Sequence, residues 1–231
     1  MDSALTNLSV LSTRQALVDE VYDVLMAQLM DRSVEPGCRI SIDGLCRALG
    51  VSATPVREAL ARIEASGIIV REPRRGFRAA PKLSPADVDE LMVARLVIEP
   101  YNAWSACKRR APGLVSELGD ALEAMQAAPI GPTYREFRCF MDADVRFHEA
   151  IGHHCGNRFL ADAVRGLGSQ VKRFQLFAGQ GVTDASVAIA EHKAVLDAIR
   201  RGSAEEARDS MRLHLEGVRA RAVNAAVDQG G

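Results

Sequence analysis

Apolar side chains recur every three or four positions through most of this chain, and the places where that rhythm stops divide it. Leu17, Val21, Val24, Leu25 and Leu29 keep helical spacing from Ala16 to Met30, and Glu35-Pro36-Gly37 ends the run. Residues 1–13 carry no such pattern and read as a flexible tail. Leu45 and Leu49 mark a short second helix closed by Gly50. A third helix follows, with Ser52 as its N-cap, Pro55 in its first turn and Val56, Leu60 and Ile63 facing inward. The pattern then shortens to two apolar strands, Ile68-Ile69-Val70 and Phe77-Arg78-Ala79-Ala80, around the turn Pro73-Arg74-Arg75-Gly76. Helix, turn, helix and a basic hairpin make a winged helix-turn-helix over residues 14–80.

Beyond a linker at 81–85 the spacing is helical to the end. Breaks at Pro112-Gly113, Pro129 to Pro132, Gly156-Asn157, Gly179 to Gly181 and Gly202 predict helices at 85–110, 114–128, 133–154, 158–178, 184–201 and 203–225. Such lengths with short connections predict an antiparallel all-α bundle over 86–226. The expected fold is therefore mainly α, a winged head followed by a helical bundle.

Composition narrows the classes. With 231 residues and 48% hydrophobic content but only 5% aromatics, the chain suits two helix-rich domains. Its net charge of -1 argues against a protein that coats nucleic acid generally. Residues 38–82, however, hold nine Lys/Arg against four Asp/Glu, so a positive field is concentrated on the head. Five scattered cysteines without a C-x-x-C pair read as reduced thiols. No apolar run reaches the roughly 18 residues that span a membrane, and the N-terminus lacks a basic leader, so a cytoplasmic location is expected.

The head offers a DNA-reading set. Free N–H groups and the positive dipole end at a helix start tolerate phosphate, and the hydroxyls of Ser52 and Thr54 add contacts there. Arg57, one turn on, can pair bidentately with guanine. Arg74, Arg75 and Gly76 form a basic turn that can approach a groove closely, and Arg39 and Arg47 can add phosphate contacts. Any one of these could instead be a cap or a solvated charge; the ordered set points to DNA. The runs G-C-R-I, L-G-V-S-A-T-P-V-R-E-A-L-A-R-I-E-A-S-G-I-I and P-R-R-G-F resemble the DNA-binding domain of the GntR family of bacterial transcription regulators. That resemblance implies operator contacts at Ser52, Thr54, Arg57 and Gly76. Ala53 stands where many relatives have Arg, and Asp43 and Gly44 replace the more usual polar or basic residues at the start of the second helix, so no operator sequence carries over.

The bundle offers a second constellation. Asp144 and His148 lie four apart on one helix, His192 sits in E-H-K-A-V-L and His214 in M-R-L-H-L, each on a face that also carries core residues. Three imidazoles and a carboxylate converging in a bundle suit Zn²⁺, Ni²⁺, Mn²⁺ or Fe²⁺, but on spacing alone they also suit hydrogen-bonded core histidines. His153 and His154 read as surface residues at a helix end. R-L-V-I-E, D-A-D-V-R-F-H-E-A-I, E-H-K-A-V-L-D-A-I and M-R-L-H-L resemble the FCD-type effector domain of one GntR subfamily, over residues 87–220. The resemblance implies a divalent metal on Asp144, His148, His192 and His214, with a small organic acid beside it. Arg95 is the candidate for the acid's carboxylate, or else an ion-pair partner for Glu99 four residues on.

The expected function is a dimeric, ligand-responsive regulator, a repressor by family habit, on a palindromic double-stranded operator. A metal-responsive repressor, in which the ion itself is the signal, is the alternative. An enzyme is not expected: there is no H-E-x-x-H, nucleophile elbow or phosphate loop.

Overall fold

The computed structural model describes residues 8–31, 33–131, 133–178 and 184–228. The chain divides between Lys82 and Leu83 into two compact units. In the first, α1 (Leu8–Met30) packs on α3 (Ala53–Ala65), and α2 (Ile42–Leu49) leads into α3 through Gly50. Val18, Val21, Leu25 and Leu29 of α1 are buried, as are Val56, Leu60 and Ile63 of α3. Arg62 clamps these helices from outside, 2.5 Å from Asp19 and 4.4 Å above the Tyr22 ring. Gly50 adopts φ +67, the left-handed cap that lets α2 stop and the chain turn at once into α3.

Two departures from the sequence reading concern this unit. Helix α1 begins at Leu8, inside the segment read as tail. A strand the pattern did not indicate, β1 (Arg39–Ile40), joins β2 (Ile69–Glu72) and β3 (Gly76–Ala79) in an antiparallel sheet of order β1-β3-β2. Two residues are too few to display alternation; β1 is a strand because β3 offers it partners, Arg39 opposite Arg78 and Ile40 opposite Phe77.

The second unit is helical: α4 (Pro85–Arg109), α5 (Leu114–Ala127), α6 (Tyr134–His154), α7 (Arg158–Ala178), α8 (Ala185–Arg201) and α9 (Ala204–Asp228). The break expected at Gly179 to Gly181 and the residue Pro132 lie outside the described residues. Helix α4 starts in a reciprocal capping box, Ser84 with Asp87, with Pro85 in its first turn. Helix α6 starts the same way with Thr133 and Glu136. α4 runs antiparallel to α9, held at its two ends by the Asp89–Arg219 ion pair (2.6 Å) and by Trp104 Nε1 donating to Glu205 (3.0 Å). Phe147, Leu118, Met125, Ile151, Val195, Met211 and Leu215 fill the core. Among the described residues no helix is long and apolar enough to cross a membrane, and all five cysteines are free thiols.

Leu118 is fully buried in α5. Leu118→Ala is expected to cost about 2–5 kcal/mol in the unfolding transition of the helical unit, read by urea titration of its far-UV CD.

Candidate metal centre and nucleic-acid interface

Four helices of the second unit carry the residues of its polar centre. Along α4 the spacing of four puts Arg95 and Glu99 on the same buried face, and Arg95 Nε donates to Glu99 Oε1 at 2.6 Å. Helix α6 supplies Asp144 and His148, α8 supplies His192 and Glu191, and α9 supplies His214 and Arg221. His148, His192 and His214 are all buried, each offering a ring nitrogen within 4.8 Å of the others.

The partners of the outer ring nitrogens decide what the inner ones can do. His192 Nδ1 lies 2.7 Å from the carbonyl of Ala188, which can only accept, so the proton sits on Nδ1. His214 Nδ1 lies 2.8 Å from Glu191 Oε2, and His148 Nδ1 lies 2.5 Å from Glu99 Oε2, there without the alignment of a linear bond. Both carboxylates are ionised. Burial alone would raise Glu99, but Arg95 and His148 hold it far below the usual carboxylate range. Against the same burial penalty, His214 and Arg221 bring Glu191 to about 2. Arg221 grips Glu191 with both terminal nitrogens, at 3.0 and 2.9 Å. An imidazole with its proton on Nδ1 presents a bare lone pair at Nε2. His148 Nε2 and His192 Nε2 nevertheless stand 3.2 Å apart, and Asp144 Oδ1 is 3.2 Å from His192 Nε2 and 3.9 Å from His148 Nε2.

Lone pairs facing one another across a buried centre repel unless a cation lies among them. Arg95 Nη2 relieves part of this, 3.5 Å from His148 Nε2. A proton could serve one pair at a time; a divalent ion could serve the three imidazoles at once, with Asp144 beside two of them. The outer Glu99, Ala188 and Glu191 partners are the kind that orient metal-binding imidazoles. Asp144, which burial would raise, is held far below its ordinary range by its neighbours His192, His148 and Arg95. His214 is pushed down to about 3, by burial first and then by its imidazole neighbours, which keeps it in the neutral form that metals require. The donor set therefore fits a divalent cation. Beside it, Arg95, Glu99, Asp144, His148 and residues of α7, including Val164 and Val171, enclose a cavity of about 20 Å³.

Arg95 is paired with Glu99, one of its two expected roles, and it also lines the cavity. His153 and His154 stay apart from the centre, His153 exposed and His154 paired with Glu117 at 3.0 Å. Sequence reasoning missed Glu191, Arg221 and the Ala188 carbonyl. Glu191 had a signal: it directly precedes His192 and lies opposite His214 once α8 and α9 pair.

In the first unit, Ser52, Thr54 and Arg57 are exposed at the start of α3, while Pro55, Val56, Ala59 and Leu60 are buried behind them. Ser52 occupies the N-cap position, is exposed, and its side chain makes no capping bond. Arg39 donates to the carbonyl of Arg75 at 2.8 Å, tying β1 to the wing turn. Gly76 has φ +87 with open space at its missing Cβ, and Arg74 has φ 62, so the turn is set by left-handed backbone. Arg78 is half-buried on the opposite face of β3 from Phe77 and Ala79, bonded to Glu72 at 2.9 Å and to the Gly37 carbonyl. Arg47 lies along α2, its Nε reaching the Asp43 carbonyl at 3.4 Å.

Comparison with known proteins accords with both units. Residues 17–78 match the gntR family of bacterial regulatory proteins, and residues 90–217 match the FCD domain. The chain belongs to the GntR family. It is a DNA-binding transcriptional regulator of the FCD group, not an enzyme. It is 30% identical over 226 residues to the regulatory protein assigned to the L-lactate dehydrogenase operon of Escherichia coli (strain K12), covering 86% of this chain and 83% of that one. It is 22% identical over 208 residues to the transcriptional repressor RspR of the same organism, covering 89% of each. The solved structure of E. coli McbR/YncC has the same fold, with a TM-score of 0.65 at 22% identity over 89% of this chain and 96% of that one.

The depressed His214 has a consequence for acid stability. Between the ordinary imidazole value, about 6.5, and about 3, the unfolded chain binds a proton at this residue that the metal-free folded chain refuses. Stability of chelator-treated protein is thus expected to fall as pH drops below about 6.5, before the carboxylates contribute their own loss below about 4.5. His214→Gln should flatten the profile between those values in urea titrations; parallel profiles would remove His214 as the cause.

Proposed function

We propose that this regulator is a cytoplasmic homodimer, a repressor whose helical unit holds a divalent metal ion and senses a small organic acid bound beside it. The ligands of the ion are Asp144, His148, His192 and His214, and zinc heads a group of candidates that includes nickel, manganese and iron. The observation that carries the reading is the fixed direction of the imidazoles: their Nδ1 atoms face Glu99, Ala188 and Glu191, and their Nε2 side is left to a cation. Once bound, the ion supplies open coordination positions for a carboxylate oxygen. Arg95 supplies the second contact, a guanidinium fork that can leave Glu99 in part for the acid. An L-lactate-related name on a relative of similar length supports an organic acid as the effector class.

On the head, Ser52, Thr54, Arg57 and the wing residues Arg74, Arg75 and Gly76 contact a palindromic operator, with Arg39 both bracing the wing and approaching phosphate. The effector needs only to bind one arrangement of the dimer better than the other; a coupling of about 1–3 kcal/mol suffices.

A second reading, in which the ion itself is the signal, draws on the cavity beside the site: about 20 Å³ suits a bare ion or one water rather than an organic acid. Elemental analysis of untagged protein, followed by operator binding titrated with metal and then with small carboxylates, separates the two. The acid reading expects one metal per chain and an operator affinity that moves only when acid is added to metal-loaded protein. Affinity that tracks free metal alone supports the second reading, and absence of metal after reconstitution overturns both.

His192→Ala is expected to lose the metal and the effector response while keeping non-specific DNA affinity. Arg57→Ala is expected to weaken operator binding by about 1–3 kcal/mol and leave metal content unchanged, checked by fluorescence anisotropy and mass spectrometry.

A further inference from the structure

Among the described residues two side chains sit on left-handed backbone, where glycine is the usual occupant: Arg74 at φ 62 and Arg110 at φ 48. Arg74 belongs to the wing turn. Arg110 is the C-cap of α4, a position that glycine fills without strain, so what an arginine adds there is its guanidinium. That guanidinium lies over Gly202, the left-handed C-cap of α8, where a Cβ would stand 3.1 Å from Arg110 Nη2. Among the described residues no carboxylate pairs with it.

Between Arg110 and the end of α8 lies a cavity of about 250 Å³. Buried Ala106, Cys107, Leu114 and Ile199 form its floor, and exposed Arg110, Arg200 and Arg201 form its rim. Burial raises the Cys107 thiol above its usual value despite Arg110, so the floor is uncharged as well as apolar. Arg200 and Arg201 pair with Asp197 at 2.9 Å and Glu206 at 2.6 Å, exposed pairs that water screens and a ligand can exchange. Arg110 has no such competitor. Cations in the last turn of α8 also suit its dipole, but that role requires neither a left-handed Arg110 nor a cavity. Size and sign single this cavity out. The one beside the metal centre is about 20 Å³, and a wider groove of about 460 Å³ carries Glu117, Asp120 and Glu149 against Arg146 and Arg165. At about 250 Å³ the site falls just below the roughly 300–1,000 Å³ of pockets for drug-sized molecules, which suits a smaller ligand. A guanidinium rim over an apolar floor is matched by an acid with a hydrocarbon body.

We propose that this cavity, between the C-terminal turns of α4 and α8 and the first turn of α5, binds a small carboxylic acid with an apolar body. Its carboxylate pairs with Arg110, and its hydrocarbon lies against Leu114 and Ile199. Ala106 is seven residues beyond Glu99, about 10 Å along α4, so the site is separate from the metal centre and does not rest on the metal reading.

Titration of 4-fluorobenzoate with the chelator-treated full chain, followed by ¹⁹F NMR, tests it. Saturable binding is expected in wild type, with a dissociation constant raised about 10-fold or more by Arg110→Gly and by Val115→Trp. Glycine suits the left-handed backbone, so Arg110→Gly should keep the wild-type thermal transition while losing the probe. Val115 lines the cavity from its exposed side, so tryptophan there fills it without entering the core. Inorganic phosphate, which has no apolar body, should displace little of the probe. No saturable binding, or binding that both variants leave unchanged, would overturn the site. Displacement by phosphate as readily as by benzoate would overturn the acid with an apolar body. Binding that appears only with metal and disappears in His192→Ala would place the acid at the metal centre, overturning this site while supporting the metal-centre reading.

Discussion

The proton positions on three buried imidazoles constrain most of what the helical unit is. The Nδ1 atoms of His192 and His214 are committed to outer acceptors and that of His148 faces Glu99, so the Nε2 atoms carry unshared pairs into a buried centre beside an ionised Asp144. That arrangement is costly without a cation, since buried lone pairs that face one another receive no compensating bond. The surroundings are fitted to it. Arg221 fixes Glu191, Glu191 fixes His214, Arg95 fixes Glu99, and Glu99 faces His148, so helices α4, α6, α8 and α9 are tied to one point. The three carboxylates Glu99, Asp144 and Glu191 outnumber the guanidinium groups of Arg95 and Arg221, which leaves the neighbourhood acidic enough to attract a divalent ion.

Helix α4 connects this centre to the cavity proposed at its C-terminal end. Its buried face presents the arginine that would meet a carboxylate beside the metal, and its C-cap is Arg110. Pro100, buried between Glu99 and Tyr101, removes one backbone donor between the two. A shift of Arg95 between Glu99 and a bound acid therefore acts on the helix whose last turn bounds the cavity. Coupling between two acid sites needs an element with two preferred placements, and α4 is the element both sites share.

Much of this was legible in residues alone. The helical rhythm of Leu17 to Leu29, the caps at Gly50 and Gly202 and the proline-glycine breaks located the helices because each rests on local backbone chemistry. Four-residue spacing and apolar neighbours place Asp144 and His148 inside a bundle, but spacing leaves the histidines equally suited to core hydrogen bonds, and only the resemblance to the FCD domain singles them out as ligands. What stayed hidden depends on pairing across the chain. β1 exists only because β3 lies beside it, and the bond from Arg39 to the Arg75 carbonyl, which links it to the wing, depends on the same pairing. Glu191 and Arg221 are ordinary helix-surface residues in sequence; α8 against α9 makes them the support of His214. Leu8 to Thr13 show no amphipathic pattern, yet α1 extends through them.

Where the protons sit on three imidazoles decides whether the centre takes a cation, and histidine ¹⁵N NMR reads that directly. Spectra of the full chain at neutral pH, before and after one equivalent of Zn²⁺, should place His148, His192 and His214 in the Nδ1–H tautomer, with all three Nε2 signals moving when zinc is added. Protons found on Nε2 in these residues, or Nε2 signals that ignore zinc, would contradict it.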